Sequence, residues 1–175
     1  MSKGREAKGS PLPKGLPLVE VTHSYQFSAA HRLNNPRFSP AENARVYGRC
    51  NNPNGHGHTY RLEVTIRGPI SSETGRVVGG PMLDEVVRTR IIQRFDRMDL
   101  DLLISPTDGP TSTTEVLAVV IWRLLDSALA TGRLSRLRLD ETPNNFFELN
   151  RDDIAHPDNP TAAIQGGWVE KASPA

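Results

Sequence analysis

The chain has very little cysteine and no long apolar run. Cys50 is the only cysteine among 175 residues, so no internal disulfide forms, which agrees with a reducing compartment. No hydrophobic stretch approaches the roughly 20 residues that cross a bilayer, and the N-terminus lacks the apolar block of a secretory signal. We therefore expect a soluble cytoplasmic protein without a membrane partner.

An excess of charge of either sign is also absent. The formal net charge is +1, so the overall balance does not indicate binding to nucleic acid or to an anionic membrane, although it is compatible with a local anionic substrate. Residues 1–17 are basic and lack apolar periodicity, and residues 151–175 are polar and rich in proline. We predict a flexible arm at 1–17, one domain at 18–150 and a polar tail at 151–175.

Two alternating patterns predict long strands. Apolar residues occupy odd positions between Val19 and Leu33, and from Tyr60 to Ile66 they occupy even positions before Gly68. A period of two is typical of a strand with one buried face. The segment 34–54 between these patterns is rich in proline, asparagine, glycine and serine, which predicts a long loop, and loops of that length in a compact domain are usually functional.

The second half of the chain predicts two helices and a closing hairpin. Helical spacing of apolar residues covers 81–98 and then 111–130, where threonine and serine hydroxyls supply the N-cap. Two apolar stretches, 134–139 and 146–149, flank a turn at 141–145. The order strand, strand, helix, helix, strand, strand predicts an α+β fold: a four-stranded antiparallel sheet with two helices on one face.

Three of the five histidines predict a metal site. His56 and His58 are two residues apart at the start of a strand, so their side chains share one face, and pairing of the two strands brings His31 towards them. Three imidazoles without a fourth protein ligand are typical of a catalytic zinc and disfavour a structural one. His23 lies roughly 26 Å from His31 along its strand, and His156 lies in the tail, so we interpret both as ordinary residues.

Three further residues have two interpretations each. Cys50 is either a small buried residue or a thiolate that acts as base or nucleophile. Glu141 is either a solvated turn residue or a carboxylate that accepts two parallel N–H bonds from a guanidine-like ring edge. Asp96 ends the first predicted helix and is either an ordinary solvated carboxylate or, because an acid is electrostatically disfavoured at a helix C-terminus, a residue with a function.

Four segments of the chain form a distinctive set of motifs. They are FSAAHRL at Phe27–Leu33, YGRCNNPNGHGHTY at Tyr47–Tyr60, TSTTEVLAVVIWRLL at Thr111–Leu125 and ETPNN at Glu141–Asn145. Together they resemble the 6-pyruvoyl-tetrahydropterin synthase family, which also contains the 6-carboxytetrahydropterin synthases. The resemblance implies the tunnelling fold, in which three sheets join edge to edge into a barrel and two trimers commonly stack into a homohexamer, with active sites between subunits.

The resemblance also implies a reaction and a role for each matched residue. The substrate would be 7,8-dihydroneopterin triphosphate, from which triphosphate is eliminated before tautomerisation to a tetrahydropterin, with no redox cofactor. His31, His56 and His58 match the zinc ligands, Cys50 and Asp96 match catalytic residues, Glu141 matches the carboxylate that anchors the pterin, and Thr113 and Thr114 match hydroxyl residues that bind the ring.

The chain departs from the family pattern at Arg97, where a histidine usually follows the aspartate. Arginine stays protonated and does not relay a proton as imidazole does, but it could lower the pKa of Cys50 or hold the departing triphosphate. Three interpretations follow: an active enzyme in which Cys50 works without a histidine, an enzyme for a different pterin or a partial reaction, and a zinc-binding homologue with little turnover. We favour the active enzyme.

The product and the reaction class each leave a second interpretation open. The residues do not decide between the 6-pyruvoyl and the 6-carboxy product, although the asparagine-rich loop resembles the pyruvoyl-forming members more closely. A zinc hydrolase that uses three histidines and a metal-activated water is a different class, and it would need neither Glu141 nor Cys50.

Overall fold

A computed structural model describes residues 17–77, 79–104, 111–129 and 133–154. Nearly all of the predicted arm and residues 155–175 of the predicted tail lie outside the described residues. In chain order the strands and helices are β1 (Val19–His31), α1 (Pro40–Tyr47), a 3₁₀ turn (Gly48–Asn51), β2 (His56–Gly68), α2 (Gly80–Val87), a π-helical turn (Arg88–Ile92), α3 (Gln93–Phe95), β3 (Met98–Asp99), α4 (Leu100–Ile104), α5 (Thr114–Ala128), β4 (Arg133–Thr142), β5 (Asn145–Asn150) and α6 (Arg151–Ile154).

One sheet of five strands, in the order β3-β1-β2-β4-β5, organises the described chain. β1 and β2 are antiparallel over their whole length, from the pair Val19 and Gly68 to the pair His31 and His56. The α+β class is confirmed, as are the four long strands. The predicted count of four was wrong, because the two-residue β3 adds a fifth, parallel strand beside Ala29 and Ala30. A strand of two residues is too short to show a period of two.

The apolar face of the sheet packs against two helical segments. Leu83, Val87, Ile91 and Phe95 recur every four residues through α2, the π-helical turn and α3, and all are fully buried. The spacing keeps one side of this helical segment on the sheet despite the π-helical turn. The second segment is α5, which begins at Thr114 after its N-cap Thr113 and ends at Ala128, two residues before the predicted end.

The predicted loop 34–54 contains the short helix α1 and the 3₁₀ turn. Ser39 and Glu42 form a capping box: the Ser39 hydroxyl accepts from the Glu42 N–H, and the Glu42 carboxylate accepts from the Ser39 N–H. Pro40 occupies the first turn, where its missing N–H is not needed. The helix was missed because its eight residues, PAENARVY, carry no apolar stripe, although the serine, proline and glutamate spacing was visible.

The start of the predicted tail is part of the folded domain. Residues Arg151–Ile154 form α6, in which the Arg151 Nε donates to the Leu134 carbonyl at 2.9 Å and the guanidinium pairs with Asp126. Ile154 packs against the core. Within the described ranges, no helix has the length and apolarity needed to span a membrane.

Candidate functional site

The three predicted histidines meet on the helix-covered face of the sheet. His31 and His56 are directly opposite each other across β1 and β2, and His58 pairs with Ala29. One nitrogen of each ring lies within 4.8 Å of one nitrogen of each of the other two rings, which is close enough for all three to bind one metal ion. The structure therefore brings together the residues that the strand period predicts.

Several nitrogens of these rings are buried and have no hydrogen-bond partner within the described part of the chain. They are the Nε2 atoms of His31 and His58 and both nitrogens of His56. Burial of an unpaired polar atom costs free energy, so such atoms are normally satisfied by a partner, water or an ion. A single metal ion would satisfy one nitrogen of each ring, and three imidazoles suit zinc.

Glycines let the second strand approach the first at this point. Gly55 has a φ of 66°, a left-handed conformation, and a Cβ there would lie 3.1 Å from the His31 carbonyl oxygen. A Cβ on Gly57 would lie 3.4 Å from the Ala29 carbonyl oxygen. Any larger side chain at Gly55 would therefore be strained and would push His56 away from His31.

Burial favours the neutral form of two rings of the cluster, His56 and His58. It is the main cause that lowers the pKa of His56, with the neighbouring His31 and His58 acting in the same direction. Burial also lowers the pKa of His58, against an opposing effect of the Glu141 carboxylate. Both rings thus stay neutral to a lower pH than an exposed histidine, and the neutral imidazole is the form that binds a metal.

Glu141, on β4, lies at the edge of the histidine cluster. Its Oε1 is 3.8 Å from the His31 Nε2 and 3.6 Å from the His58 Nε2. The same oxygen accepts a hydrogen bond of 2.6 Å from the Thr114 hydroxyl, and Oε2 accepts one of 2.8 Å from the Asn145 side chain. Two neutral donors therefore hold the carboxylate in one orientation beside the rings.

The two predicted threonines differ in their contacts. Thr114 is buried, and its hydroxyl donates to Glu141. The Thr113 side chain caps α5 by accepting from the Val116 N–H at 3.4 Å. Thr114 therefore belongs to the cluster through Glu141, whereas the Thr113 hydroxyl is used at the helix terminus.

Tyr60, a residue that the sequence patterns did not single out, lies on the same side of the sheet as the histidines, and Cys50 lies in the 3₁₀ turn ahead of β2. Cys50 is half-buried in the 3₁₀ turn, and its carbonyl accepts from the Leu33 N–H at 2.9 Å. Tyr60 is fully buried, and its ring contacts the His58 ring edge-on at 5.7 Å. Burial raises the pKa of Tyr60, and the charges of Glu141 and Cys50 act on it in the same direction. The signal was present in the sequence, since Tyr60 continues the spacing of His56 and His58.

Asp96 and Arg97 lie between α3 and β3, beside Ser28 of β1. The Asp96 carboxylate accepts from the Ser28 N–H at 2.8 Å, and Ser28 precedes His31 by three residues, about 10 Å along the strand. Arg97, with a left-handed φ of 61° and an exposed side chain, lines a cavity of about 530 Å³ that also borders Ser28, His58 and Thr59. Among the described residues the Asp96 carboxylate bonds to the Ser28 N–H and lies 3.7 Å from the Arg97 Nε, and neither side chain makes a hydrogen bond or an ion pair with a histidine of the cluster.

Comparisons with known proteins agree with this architecture. A family model described as 6-pyruvoyl tetrahydropterin synthase matches residues 20–152. The 6-pyruvoyl tetrahydrobiopterin synthase of Drosophila melanogaster is 42% identical over 132 residues, 75% of this chain and 79% of that protein. The human enzyme of the same name is 40% identical over 128 residues, which cover 73% of this chain and 88% of that enzyme.

A solved structure gives the same result for the fold. The 6-pyruvoyl tetrahydropterin synthase of Caenorhabditis elegans superposes with a TM-score of 0.71 at 32% identity, covering 77% of this chain and 96% of that one. The likeness therefore extends over almost the whole of that structure. By its sequence, its fold and the residues gathered at its histidine cluster, this chain belongs to the 6-pyruvoyl tetrahydropterin synthase family.

Proposed function

We propose that the protein is a zinc-dependent lyase of the 6-pyruvoyl-tetrahydropterin synthase type, which eliminates triphosphate from 7,8-dihydroneopterin triphosphate. The observation that carries this proposal is the arrangement of three histidines with unpaired, buried nitrogens beside the Glu141 carboxylate. Family membership at about 40% identity supports the same reaction class.

His31, His56 and His58 would hold the metal ion. Bound there, zinc supplies Lewis acidity, which makes the C–H and O–H bonds beside the substrate's side-chain hydroxyls more acidic. The three rings fit this role because their nitrogen atoms converge, and burial lowers the pKa of His56 and of His58, which favours the neutral form that binds a metal.

Glu141 is proposed to bind the pterin ring. An ionised carboxylate offers about four lone-pair positions, and the bonds from Thr114 and Asn145 use two of them. The remaining positions can accept two parallel N–H bonds from the amino-pyrimidine edge of a pterin. In this proposal Thr114 orients the carboxylate, and Thr113 fixes the start of α5 next to it.

Cys50 is proposed as the base that removes a proton from the substrate side chain, assisted by Asp96. The electron pair of the broken C–H bond forms a carbon–carbon double bond, and the C–O bond to the triphosphate breaks as triphosphate leaves with its electrons. Tautomerisation then yields the ketone groups, and the ring gains the hydrogens that the side chain loses. No external oxidant or reductant is therefore needed.

The test is release of inorganic triphosphate by the purified, zinc-loaded protein from 7,8-dihydroneopterin triphosphate. We expect Cys50→Ala to abolish release, and Cys50→Ser to reduce it strongly because a hydroxyl is a poorer base than a thiolate at neutral pH. Both variants should keep the zinc content of the unmodified protein, since Cys50 is not among the metal ligands.

Product analysis by mass spectrometry distinguishes the candidate reactions. A 6-pyruvoyl product supports the proposal, whereas acetaldehyde with a 6-carboxy product would assign the protein to the side-chain-cleaving reaction. Zinc and substrate bound without turnover would contradict the enzymatic proposal and indicate a zinc-binding homologue.

A further inference from the structure

The carboxylate of Asp101 joins two segments that hold His31. Asp101 belongs to α4, and its Oδ2 accepts from the Arg32 N–H at 2.9 Å, immediately after the end of β1. Its Oδ1 accepts a short hydrogen bond from the Ser112 hydroxyl. Ser112 is 1% exposed, so this interaction is shielded from solvent on the serine side.

Ser112 in turn contacts the His31 ring. The Ser112 carbonyl oxygen lies 2.8 Å from the His31 Nδ1. A carbonyl only accepts hydrogen bonds, so Nδ1 carries the ring proton. The unprotonated Nε2, which faces the cluster, is left with the lone pair that can bind a metal. The chain of contacts from Asp101 through Ser112 to His31 therefore fixes both the tautomer and the direction of one proposed metal ligand.

We propose that Asp101 is a positioning residue for the metal site, which orients His31 through Ser112 and makes its Nε2 a stronger ligand. This inference rests on the proposed metal site. In metalloproteins the partner of a ligand's second ring nitrogen commonly changes metal affinity by about 10- to 100-fold when it is removed. Here that partner is a carbonyl whose residue is itself held by a carboxylate.

The same carboxylate also stabilises the segment that faces Cys50. The backbone N–H of Arg32 donates to Asp101, and the side-chain Nε of the same residue donates to the Asn51 carbonyl at 3.2 Å. The next residue, Leu33, donates its N–H to the Cys50 carbonyl at 2.9 Å. Asp101 therefore connects the position of a proposed metal ligand with the turn that carries the proposed base.

The experiment measures zinc affinity of the full-length protein by competition with a chelating dye. Asp101→Asn keeps the side-chain shape and an acceptor for Arg32 but removes the charge, while Ser112→Ala removes the link and leaves the carboxylate. Glu73→Gln, in the exposed turn after Ser71, is the matched loss of one negative charge. His31→Ala measures the loss of a ligand itself.

We expect Asp101→Asn and Ser112→Ala each to weaken zinc binding by up to about 10-fold, the lower end of the range for losing a direct partner, because the Ser112 carbonyl remains but is no longer held in place. The loss should be smaller than that in His31→Ala, and Glu73→Gln should bind zinc as the unmodified protein does. The double variant should bind zinc no more weakly than the weaker-binding of the two single variants, because both substitutions break the same chain of contacts. The visible absorption spectrum of the cobalt-substituted protein should shift in both single variants, which a general loss of stability would not produce.

Zinc affinity and cobalt spectra equal to those of the unmodified protein in both variants would overturn the inference while leaving the metal site intact. Should Asp101→Asn fail to fold, the Ser112→Ala result decides in the same way. An unmodified protein that binds no zinc would overturn the proposed metal site and this inference with it.

Discussion

Two tyrosines on neighbouring strands are held in their protonated form. Burial raises the pKa of Tyr60, and burial together with the Asp84 carboxylate raises the pKa of Tyr25, whose hydroxyl donates to Asp84 at 2.7 Å. An unfolded tyrosine ionises near pH 10. The folded protein therefore binds more protons than the unfolded chain once the pH exceeds about 10.

The free energy of unfolding should consequently be independent of these tyrosines below about pH 10 and fall as the pH rises above it. Absorbance at 295 nm should show tyrosinate from Tyr25 and Tyr60 only as the protein unfolds. Tyr60→Phe should reduce the steepness of this alkaline loss of stability. Ionisation of all three tyrosines of the chain near pH 10, with circular dichroism unchanged, would contradict the assignment.

At the residue scale, the sequence predicted the histidine cluster better than the residues that support it. The period of two placed His56 and His58 on one face, and strand pairing placed His31 opposite them. Tyr60 followed from the same period but was not selected, because an aromatic residue in a strand is also an ordinary core residue. The proposed role of Asp101 depends on contacts between segments far apart in the chain, which no local pattern contains.

At the scale of elements, Asn43 organises the segment between β1 and β2. Its side chain is 3% exposed, and its Nδ2 donates to the carbonyls of Asn35, Phe38 and Ser39 at 3.0, 3.2 and 3.3 Å. Its Oδ1 accepts from the Asn35 N–H at 2.7 Å. This segment lacks an apolar core, and the hydrogen bonds of the Asn43 amide stabilise it instead. They fix α1 next to the turn that contains Cys50.

Asn43→Asp should destabilise the protein by roughly 2–3 kcal/mol, because a carboxylate would face carbonyl oxygens that now accept from an NH₂ group. Chemical denaturation measures this loss. The control Ser39→Ala removes the exposed capping box and should cost about 1 kcal/mol. Triphosphate release should fall further in Asn43→Asp than zinc affinity, since the histidines lie on the sheet. Equal stability of the two variants would contradict the organising role of Asn43.

The elements that the sequence predicted are those with long-range periodicity. β1, β2 and the helical segment beginning at Gly80 each repeat their pattern over many residues, so their type and face were clear. The helix that begins at Gly80 ends at Phe95 because Asp96 is extended and Arg97 is left-handed, and both are held by the backbone of Ser28. These hydrogen bonds to Ser28, like the short strand β3 beside them, arise from tertiary contacts and leave no local pattern in the sequence.

At the scale of the whole molecule, the described sheet has two open edges. Between Val19 and Ser28, β1 pairs only with β2 among the described strands, and β5 pairs only with β4. Natural proteins cover or pair such edges, and we propose that copies of this chain do so by joining their sheets into a homo-oligomer, a trimer or a hexamer. Its mass would be three or six times the 19.3 kDa of one chain.

We propose that an assembly of this kind brings Asp96 of one subunit to the Cys50 of another. The two residues are held at different places on one chain, since the Asp96 carboxylate bonds to Ser28 and the Cys50 carbonyl bonds to Leu33 beyond the end of β1. In this proposal a site that uses both side chains would be completed by the neighbouring subunit. This arrangement has a consequence for mixed assemblies of variants.

Cys50→Ala and Asp96→Asn should each be inactive alone, but an equal mixture unfolded and refolded together should recover activity. Random assembly gives about a quarter of the sites an intact Cys50 from one subunit and an intact Asp96 from the next. Asparagine keeps an oxygen that accepts from the Ser28 N–H, so Asp96→Asn preserves this hydrogen bond. Refolding Cys50→Ala with the double variant is the control and should recover nothing. Mixed oligomers that form by native mass spectrometry yet release no triphosphate would place both residues in the site of a single chain.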